Sequence, residues 1–313
     1  MEKIEHKFVE VKEGQKIHIA EIGTGPKVVV FLHGFPEIWY SWRHQMIAIA
    51  GAGYRAIAPD YRGYGLSDPP PDHESISFLG FATDIVLLLD VLNIPKVFLV
   101  GKDFGAPLAY LVALLHPDRV SGVIALGVPF LPPRGPTHHR GLPEGFYVSR
   151  WNEPGRAEAD FGRFNAKTVV RNIYILFSKS EIPIAGEDQE IMDMVEPSIP
   201  LPHWFTEQDL ATYGALYEKS GFQTALQVPY RTMHKANNMP ADPKIEAPSL
   251  LIMGEKDYVF KFPGMEDYIR GGEVKTYVPN LETVFLPEGT HFVQEQFPDQ
   301  VNQLLLTFLG KHY

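Results

Sequence analysis

Asp103 stands in the middle of Val97-Phe-Leu-Val-Gly-Lys-Asp-Phe-Gly-Ala-Pro107. Phe98, Leu99 and Val100 form a short apolar run, which reads as a buried strand. Beyond the Asp, Leu108, Leu111, Val112 and Leu115 recur at helical spacing. The five residues between, Gly101 to Gly105, have the outline Gly-x-nucleophile-x-Gly, with Asp where the common form has Ser. A strand that turns at once into a helix crowds the residues flanking its apex, so small residues stand there. The apex side chain is forced out above the sheet, where backbone N–H groups and the positive helix end converge. An Asp just before a helix also serves commonly as an N-cap, and position 103 alone does not separate the two roles.

Two further residues bear on that choice. Asp257 follows the apolar run Ser249 to Met253, in Gly254-Glu-Lys-Asp257. His291 follows Glu282 to Leu286, in Gly289-Thr-His291. Taken singly, Asp257 reads as a turn residue and His291 as an ordinary surface histidine. Together with Asp103 they give the chain order nucleophile, acid, histidine, each just after a strand, which is the order of hydrolases built on such an elbow. A fourth piece is His33-Gly-Phe-Pro36, after the early strand Lys27 to Leu32. That loop supplies one oxyanion donor in this arrangement, here the backbone N–H of Phe35, with that of Phe104 as the second. His33 reads as orienting the loop.

The elements that must position these residues alternate. Phe8 to Ile22 suggests two antiparallel strands with a turn at Glu13-Gly14. Strands follow at Lys27 to Leu32, Tyr54 to Ala58, Lys96 to Val100 and Ser121 to Leu126. Helices are expected at Trp39 to Ala50 and Phe78 to Leu92, and after the elbow. The pattern implies a mostly parallel sheet, eight-stranded, with helices on both faces. From 129 to 241 the rhythm breaks into a segment rich in Pro and aromatics with helical patches and no strand run. The strands at Ser249 and Glu282 then resume, and Val301 to Leu309 closes as a helix. The expected organisation is a core of 1–128 and 242–313, split by a helical cap of 129–241. Inserted after a strand end, such a cap lies over the carboxyl edge of the sheet, where ligands bind.

Composition narrows the classes. The chain has 313 residues, 45% apolar and 21% charged, as in a soluble globular protein. A net charge of −10 argues against a nucleic-acid partner. No run of apolar residues is long enough for a membrane span. The start, Met1-Glu-Lys-Ile-Glu-His-Lys7, has no apolar signal region, and there is no Cys, hence no disulfide framework. The default expectation is a cytoplasmic protein, monomer or homodimer.

His33-Gly-Phe-Pro-Glu37, Trp39-Tyr-Ser-Trp-Arg-His-Gln45, Asp60-Tyr-Arg-Gly-Tyr-Gly65 and Gly289-Thr-His-Phe292 resemble the α/β-hydrolase-fold epoxide hydrolases, and among them the soluble plant enzymes. The resemblance runs the whole chain. It implies the α/β-hydrolase fold, no cofactor, and a small hydrophobic epoxide and water as reactants. It also implies two cap tyrosines that hold the epoxide oxygen. The matching contexts are Phe146-Tyr147-Val-Ser-Arg150 and Val228-Pro-Tyr230-Arg231, and with 14 Tyr in the chain only the resemblance selects these two. Pro36, Trp39 and Phe104 are expected to line the substrate pocket. Three departures stand out: Lys102 and Phe104 replace the family's usual His and Trp around the nucleophile, and Tyr61 stands where Leu is usual, as a packing variation.

This chemistry suits the residue types. A carboxylate is ionised near neutral pH and opens an epoxide without a base. Its product is an ester that water can cleave, whereas Ser would give a stable ether. Tyrosine hydroxyls protonate the leaving oxygen, and His291 oriented by Asp257 activates the water. A haloalkane dehalogenase would share Asp, His and Asp, but it needs a halide donor beside the nucleophile, and Phe104 has no side-chain N–H. A non-catalytic receptor on the same fold would not need the complete set Asp103, Asp257 and His291.

Overall fold

The computed structural model describes residues 3–132, 143–232, 239–240 and 242–313. Met1 and Glu2 of the opening motif, and position 241 at the expected end of the cap, lie outside the described residues. Among the described residues eight strands form one sheet: β1 (Glu5–Lys12), β2 (Gln15–Ile22), β3 (Val28–Leu32), β4 (Arg55–Pro59), β5 (Val97–Lys102), β6 (Val120–Leu126), β7 (Ser249–Gly254) and β8 (Leu281–Leu286). Their spatial order is β1-β2-β4-β3-β5-β6-β7-β8. The first hairpin and the β2–β4 pair are antiparallel, and every other pair is parallel.

Side chains of the central strands alternate between two cores. Val28, Val30 and Leu32 of β3, Val97 and Leu99 of β5, and Val123 and Ala125 of β6 enter the larger cluster. Their neighbours Val29, Phe31, Phe98, Val100, Ile124 and Leu126 enter the second. That is the two-residue period of a strand buried on both faces, so the runs read as continuous apolar sequence. Helices α1 (Arg43–Gly51) and α11 (Pro298–His312) cover the second cluster, whereas α2 (Phe78–Val91) and α3 (Gly105–Leu115) cover the first. In α2, Phe81, Ala82, Ile85, Leu88 and Leu89 are buried, and the Ser77 side chain accepts the Gly80 N–H at the N-terminus.

Between β6 and β7 lie α4 (Tyr147–Asn152), α5 (Arg156–Phe161), α6 (Ala166–Phe177), α7 (Glu207–Ser220) and the short α8 (Gln223–Ala225), followed by a wide helical turn, Leu226–Arg231. These form the cap, and their apolar residues join the cluster on the α2–α3 side of the sheet. Among the described residues an isolated bridge, Phe146 with Ile184, interrupts the helices. The cap is tied to the core by a buried charge cluster. Arg43 contacts Asp209 of α7 at 2.9 Å and Glu295 at 2.5 Å, and Tyr174 and Tyr213 of the cap donate to Glu295 at 2.7 and 3.1 Å. Glu295 lies in α10 (Val293–Gln296), after β8, and α9 (Met265–Arg270) lies between β7 and β8.

Two boundaries differ from the sequence expectation. The segment expected as a helix from Trp39 opens with a 3-10 turn, Trp39–Trp42, before α1. The last helix begins at Pro298, whose fixed φ and missing N–H suit a first helical position, and it runs on to His312.

Candidate active site

β3 sits between β4 and β5, although β4 follows it in the chain. The connection leaving β3 therefore goes to one side of the sheet and the one leaving β5 to the other. Such a switch point opens a crevice at the carboxyl ends of the two strands. The loops His33–Ile38 and Asp103–Phe104 lie there. The approach is close: a Cβ on Gly34 would come within 2.4 Å of the Asp103 Cβ, and one on Gly105 within 2.0 Å of the Leu32 carbonyl oxygen. Only glycine fits either place, which is the physical content of the small residues around the elbow.

Asp103 has a φ of +51°, the left-handed region that non-glycine residues seldom occupy. The residue preceding α3 is Phe104, and no side chain caps that helix. The carboxylate is therefore not an N-cap. One oxygen accepts the Phe35 N–H at 3.1 Å, and the other lies 3.2 Å from His291 Nε2. Burial alone would raise its pKa. Contacts with His291, the Lys102 charge and the Phe35 N–H outweigh that and hold it below the ordinary carboxylate value. Phe104 N–H, the other expected donor, makes no hydrogen bond among the described residues.

Asp257 and His291 follow β7 and β8, adjacent parallel strands in register from Ser249–Leu281 to Gly254–Leu286. Both Asp257 oxygens reach His291 Nδ1, at 2.9 and 3.0 Å, and one also accepts the Val259 N–H at 3.0 Å. The turn role and the pairing role of Asp257 thus coexist. An imidazole donating Nδ1–H to Asp257 presents Nε2 to Asp103. Burial disfavours the imidazolium, but the Asp257 charge and the hydrogen bonds to both carboxylates win, and the pKa of His291 is raised.

Over this charged floor lies an aromatic ceiling. Tyr147 opens α4 and Tyr230 sits in the wide turn, both buried, with ring centroids 6.3 Å apart. Burial first, and then nearby negative charge including that of Asp103, raises the pKa of both phenols, so both keep their protons. The Tyr147 hydroxyl lies 3.2 Å from that of Tyr258, while Tyr230 packs 5.5 Å from Phe104 and 5.9 Å from Phe35.

Of the expected pocket residues, Phe104 borders Tyr230, and Pro36 is buried directly after Phe35. Trp39 is a correction. It belongs to the core on the α1–α11 side of the sheet, and its ring lies edge-on to His6 at 4.7 Å. Asp60 accepts the Trp39 N–H at 2.9 Å and pins the turn so that the ring meets the first hairpin, away from the cap. Tyr61 does more than fill space: its hydroxyl donates to the His33 carbonyl at 2.8 Å and its ring stacks on His33 at 4.1 Å. His33 Nδ1 pairs with the Gly34 carbonyl oxygen at 2.8 Å, which fits its reading as a loop-orienting residue.

Several neighbours escaped the sequence reading. Tyr258, next to Asp257, lies 4.8 Å from the His291 ring and meets Tyr147. Trp151 packs 5.2 Å from Tyr147 and 5.1 Å from Tyr230, and a helical wheel through Tyr147 would have placed it one turn on. Glu37 is fully buried, accepts the Gly34 N–H at 3.1 Å and a bond from Gln294, and is pushed by burial to a pKa of about 7. No run pattern in the sequence flags a buried glutamate. Among the described residues no group of three or more His, Cys, Asp or Glu could hold a metal ion.

A nucleophilic carboxylate, a histidine with its own carboxylate partner and two phenols overhead are the parts of an α/β hydrolase that works through an ester. Residues 27–298 match the family model described as alpha/beta hydrolase fold. The chain is 38% identical over 321 residues to Epoxide hydrolase 2 of Siraitia grosvenorii, covering 99% of this chain and 100% of that one. It is 35% identical to Epoxide hydrolase A of Mycobacterium tuberculosis, covering 95% and 94%. The structure of potato (Solanum tuberosum) epoxide hydrolase I superposes with a TM-score of 0.87 at 34% identity over 99% and 100% of the two chains. An epoxide hydrolase from Vigna radiata gives 0.90 at 36%, over 98% of each. The chain belongs to the epoxide hydrolases of the α/β-hydrolase fold.

Proposed function

We propose that this protein hydrolyses epoxides to vicinal diols in two covalent steps. In the first, the Asp103 carboxylate attacks an epoxide carbon from the back and the ring C–O bond breaks. Tyr147 and Tyr230 hydrogen-bond the departing oxygen, and one of them gives it a proton. In the second, His291, aligned by Asp257, takes a proton from water, and the hydroxide attacks the Asp103 ester carbonyl. The Phe35 and Phe104 N–H groups receive the negative oxygen. Collapse releases the diol and restores the carboxylate, and the proton on His291 returns a phenol to its starting state through solvent.

The observation that carries this reading is the double engagement of Asp103, with a backbone N–H on one oxygen and His291 Nε2 at 3.2 Å from the other. A carboxylate so held is ionised and needs no base. Ser or a neutral acid at this apex would need one. Phe104 offers no side-chain N–H to a leaving halide, which favours the epoxide over a haloalkane. A single turnover in ¹⁸O-water with excess enzyme tests the route. The first diol should carry mostly ¹⁶O from the carboxylate, and mostly ¹⁸O there would rule the ester out.

The aromatic ceiling, with Trp151, Phe35 and Phe104 beside the tyrosines, favours a small hydrophobic epoxide, with water as the second reactant. We place the core at 1–128 and 242–313 and the cap at 129–241, and the protein in the cytoplasm as a monomer or homodimer. Among the described residues no helix is long and apolar enough to cross a membrane. Light scattering on the eluting protein checks the last point: a larger assembly would contradict it.

A further inference from the structure

Lys102 is the last residue of β5 and is completely buried beside the nucleophile. Its ammonium has no hydrogen-bond partner among the described residues and lies 5.2 Å from the centre of the Phe292 ring. Phe292 follows His291 and is itself buried. A buried cation without a hydrogen-bond partner persists only where nearby carboxylates compensate it. Here they come from two elements: Asp103 from the elbow and Glu37 from the loop after β3. Glu295 of α10 lies beyond Glu37 and is already matched by Arg43. The remaining titratable neighbours are Tyr258 against the His291 ring and Tyr147 above it, both neutral phenols.

We propose that Lys102 is a positioning charge for the second half-reaction, opposing the pull of Asp257 on His291 so that the ring more readily takes the neutral form that activates water. The proposal rests on the two-step reading above. Asp257 pulls His291 towards imidazolium, and an imidazolium cannot accept a proton from water. In the resting enzyme Asp103 adds to that pull. Once alkylated, Asp103 is a neutral ester, and the pull of Asp257 and the opposing Lys102 charge remain. The Lys102 charge lowers the proton affinity of His291 and Glu37, in line with this role.

The test follows ester formation and ester decay separately by rapid quench and mass spectrometry across the pH range, in Lys102→Met, Lys102→Gln and Lys102→Arg. In the neutral variants the acid limb of ester decay should move up by about one pH unit, the low end of what a buried neighbouring charge produces. Decay at a pH just below the original limb should then be about tenfold slower. Ester formation should change little, and Lys102→Arg should keep the original limb. An unmoved limb in a folded neutral variant overturns the proposal. So does a uniform slowing of both steps. If neither neutral variant folds while Lys102→Arg does, the charge serves folding and the proposal likewise falls. His291→Gln is run alongside: a persistent ester there upholds the two-step reading whatever Lys102 does, and no ester removes both.

Discussion

The floor and the ceiling of this site are built in opposite ways. Asp103, Asp257 and His291 come from three loops that leave one edge of a single sheet, and each is fixed by hydrogen bonds of about 3 Å to its neighbours. Tyr147 and Tyr230 come from cap segments 83 positions apart and are held by packing: Trp151 touches both, and Phe177 lies 4.8 Å from Tyr147. The buried carboxylates and imidazole of the floor must meet at set atoms and are held by directional bonds, which also offset the cost of burying their charge. Phenols that stay neutral need only a shape to fit into. The difference predicts a division of labour: the floor fixes whether the chemistry proceeds, and the ceiling fixes how fast the ring opens.

The largest expected effect tests the floor. Asp103→Ala should lose turnover by about 10⁴- to 10⁶-fold, the scale seen when a covalent nucleophile is removed. It should also form no adduct. An adduct on another residue in this variant would move the nucleophile elsewhere.

His291→Gln comes next, and it separates the half-reactions within the floor. The ionised Asp103 needs no base, so ring opening should survive. Ester hydrolysis should slow by about 100- to 10,000-fold, the range for a positioned general base. Intact-mass measurement should find the enzyme heavier by one substrate, with the adduct on the peptide containing Asp103. An unmodified, folded and inactive His291→Gln protein would mean that His291 acts before ring opening.

The pH dependence follows with its sign. The neutral imidazole is the active form, and the pKa of His291 is raised above its usual 6.5. In the ester the pull of Asp103 is gone and that of Asp257 remains, so ester decay should be complete at alkaline pH and fall as pH drops through the His291 pKa of that form. Asp103 is held below the ordinary carboxylate value, so ester formation should stay level over the same interval. A matching acid limb on both steps would deny the floor its two separate roles.

What the sequence disclosed divides along the same line. The floor was legible because each of its residues comes within a few positions of a short run that reads as a strand, and the parallel register carries three strand ends to one edge. The glycines of the elbow were legible because backbone contact leaves no room for a Cβ. The ceiling was not legible from pattern. Tyr147 sits at the start of a six-residue helix and Tyr230 in an irregular turn, and neither has a period to mark it. Trp39 failed for a related reason: its sequence neighbourhood belongs to the site loop, but Asp60 turns the ring to the other face of the sheet. Buried Glu37 and Lys102 carry no signal in hydropathy, since their burial depends on partners distant in the chain.

On the ceiling, Tyr147→Phe and Tyr230→Phe should each slow ester formation by roughly 10- to 1,000-fold, the span of general-acid contributions, and leave ester decay nearly unchanged. Equal pre-steady-state rates in both variants and the parent would remove the pair from the mechanism. Whichever variant is slower identifies the principal proton donor.

The smallest effect belongs to the contact where the two regions meet. Tyr258 follows Asp257 on the floor, lies 4.8 Å from the His291 ring, and has its hydroxyl 3.2 Å from that of Tyr147. Tyr258→Phe keeps the ring, and with it the packing against His291, and removes one hydrogen bond to a ceiling phenol. A hydrogen bond of this kind contributes about 0.5–1.5 kcal/mol net, or roughly 2- to 12-fold in rate if all of it is lost in the transition state. If Tyr258 accepts from Tyr147, it occupies the proton that ring opening needs. Its removal should then leave ester formation equal or slightly faster. If instead Tyr258 donates, it stabilises the phenolate that Tyr147 becomes, and ester formation should slow within that range. In both cases ester decay should hold, because the His291–Asp257 pair is untouched. A Tyr258→Phe variant that slows decay and spares formation would place this hydroxyl on the floor instead of at the junction, and the separation between the two regions would have to be redrawn.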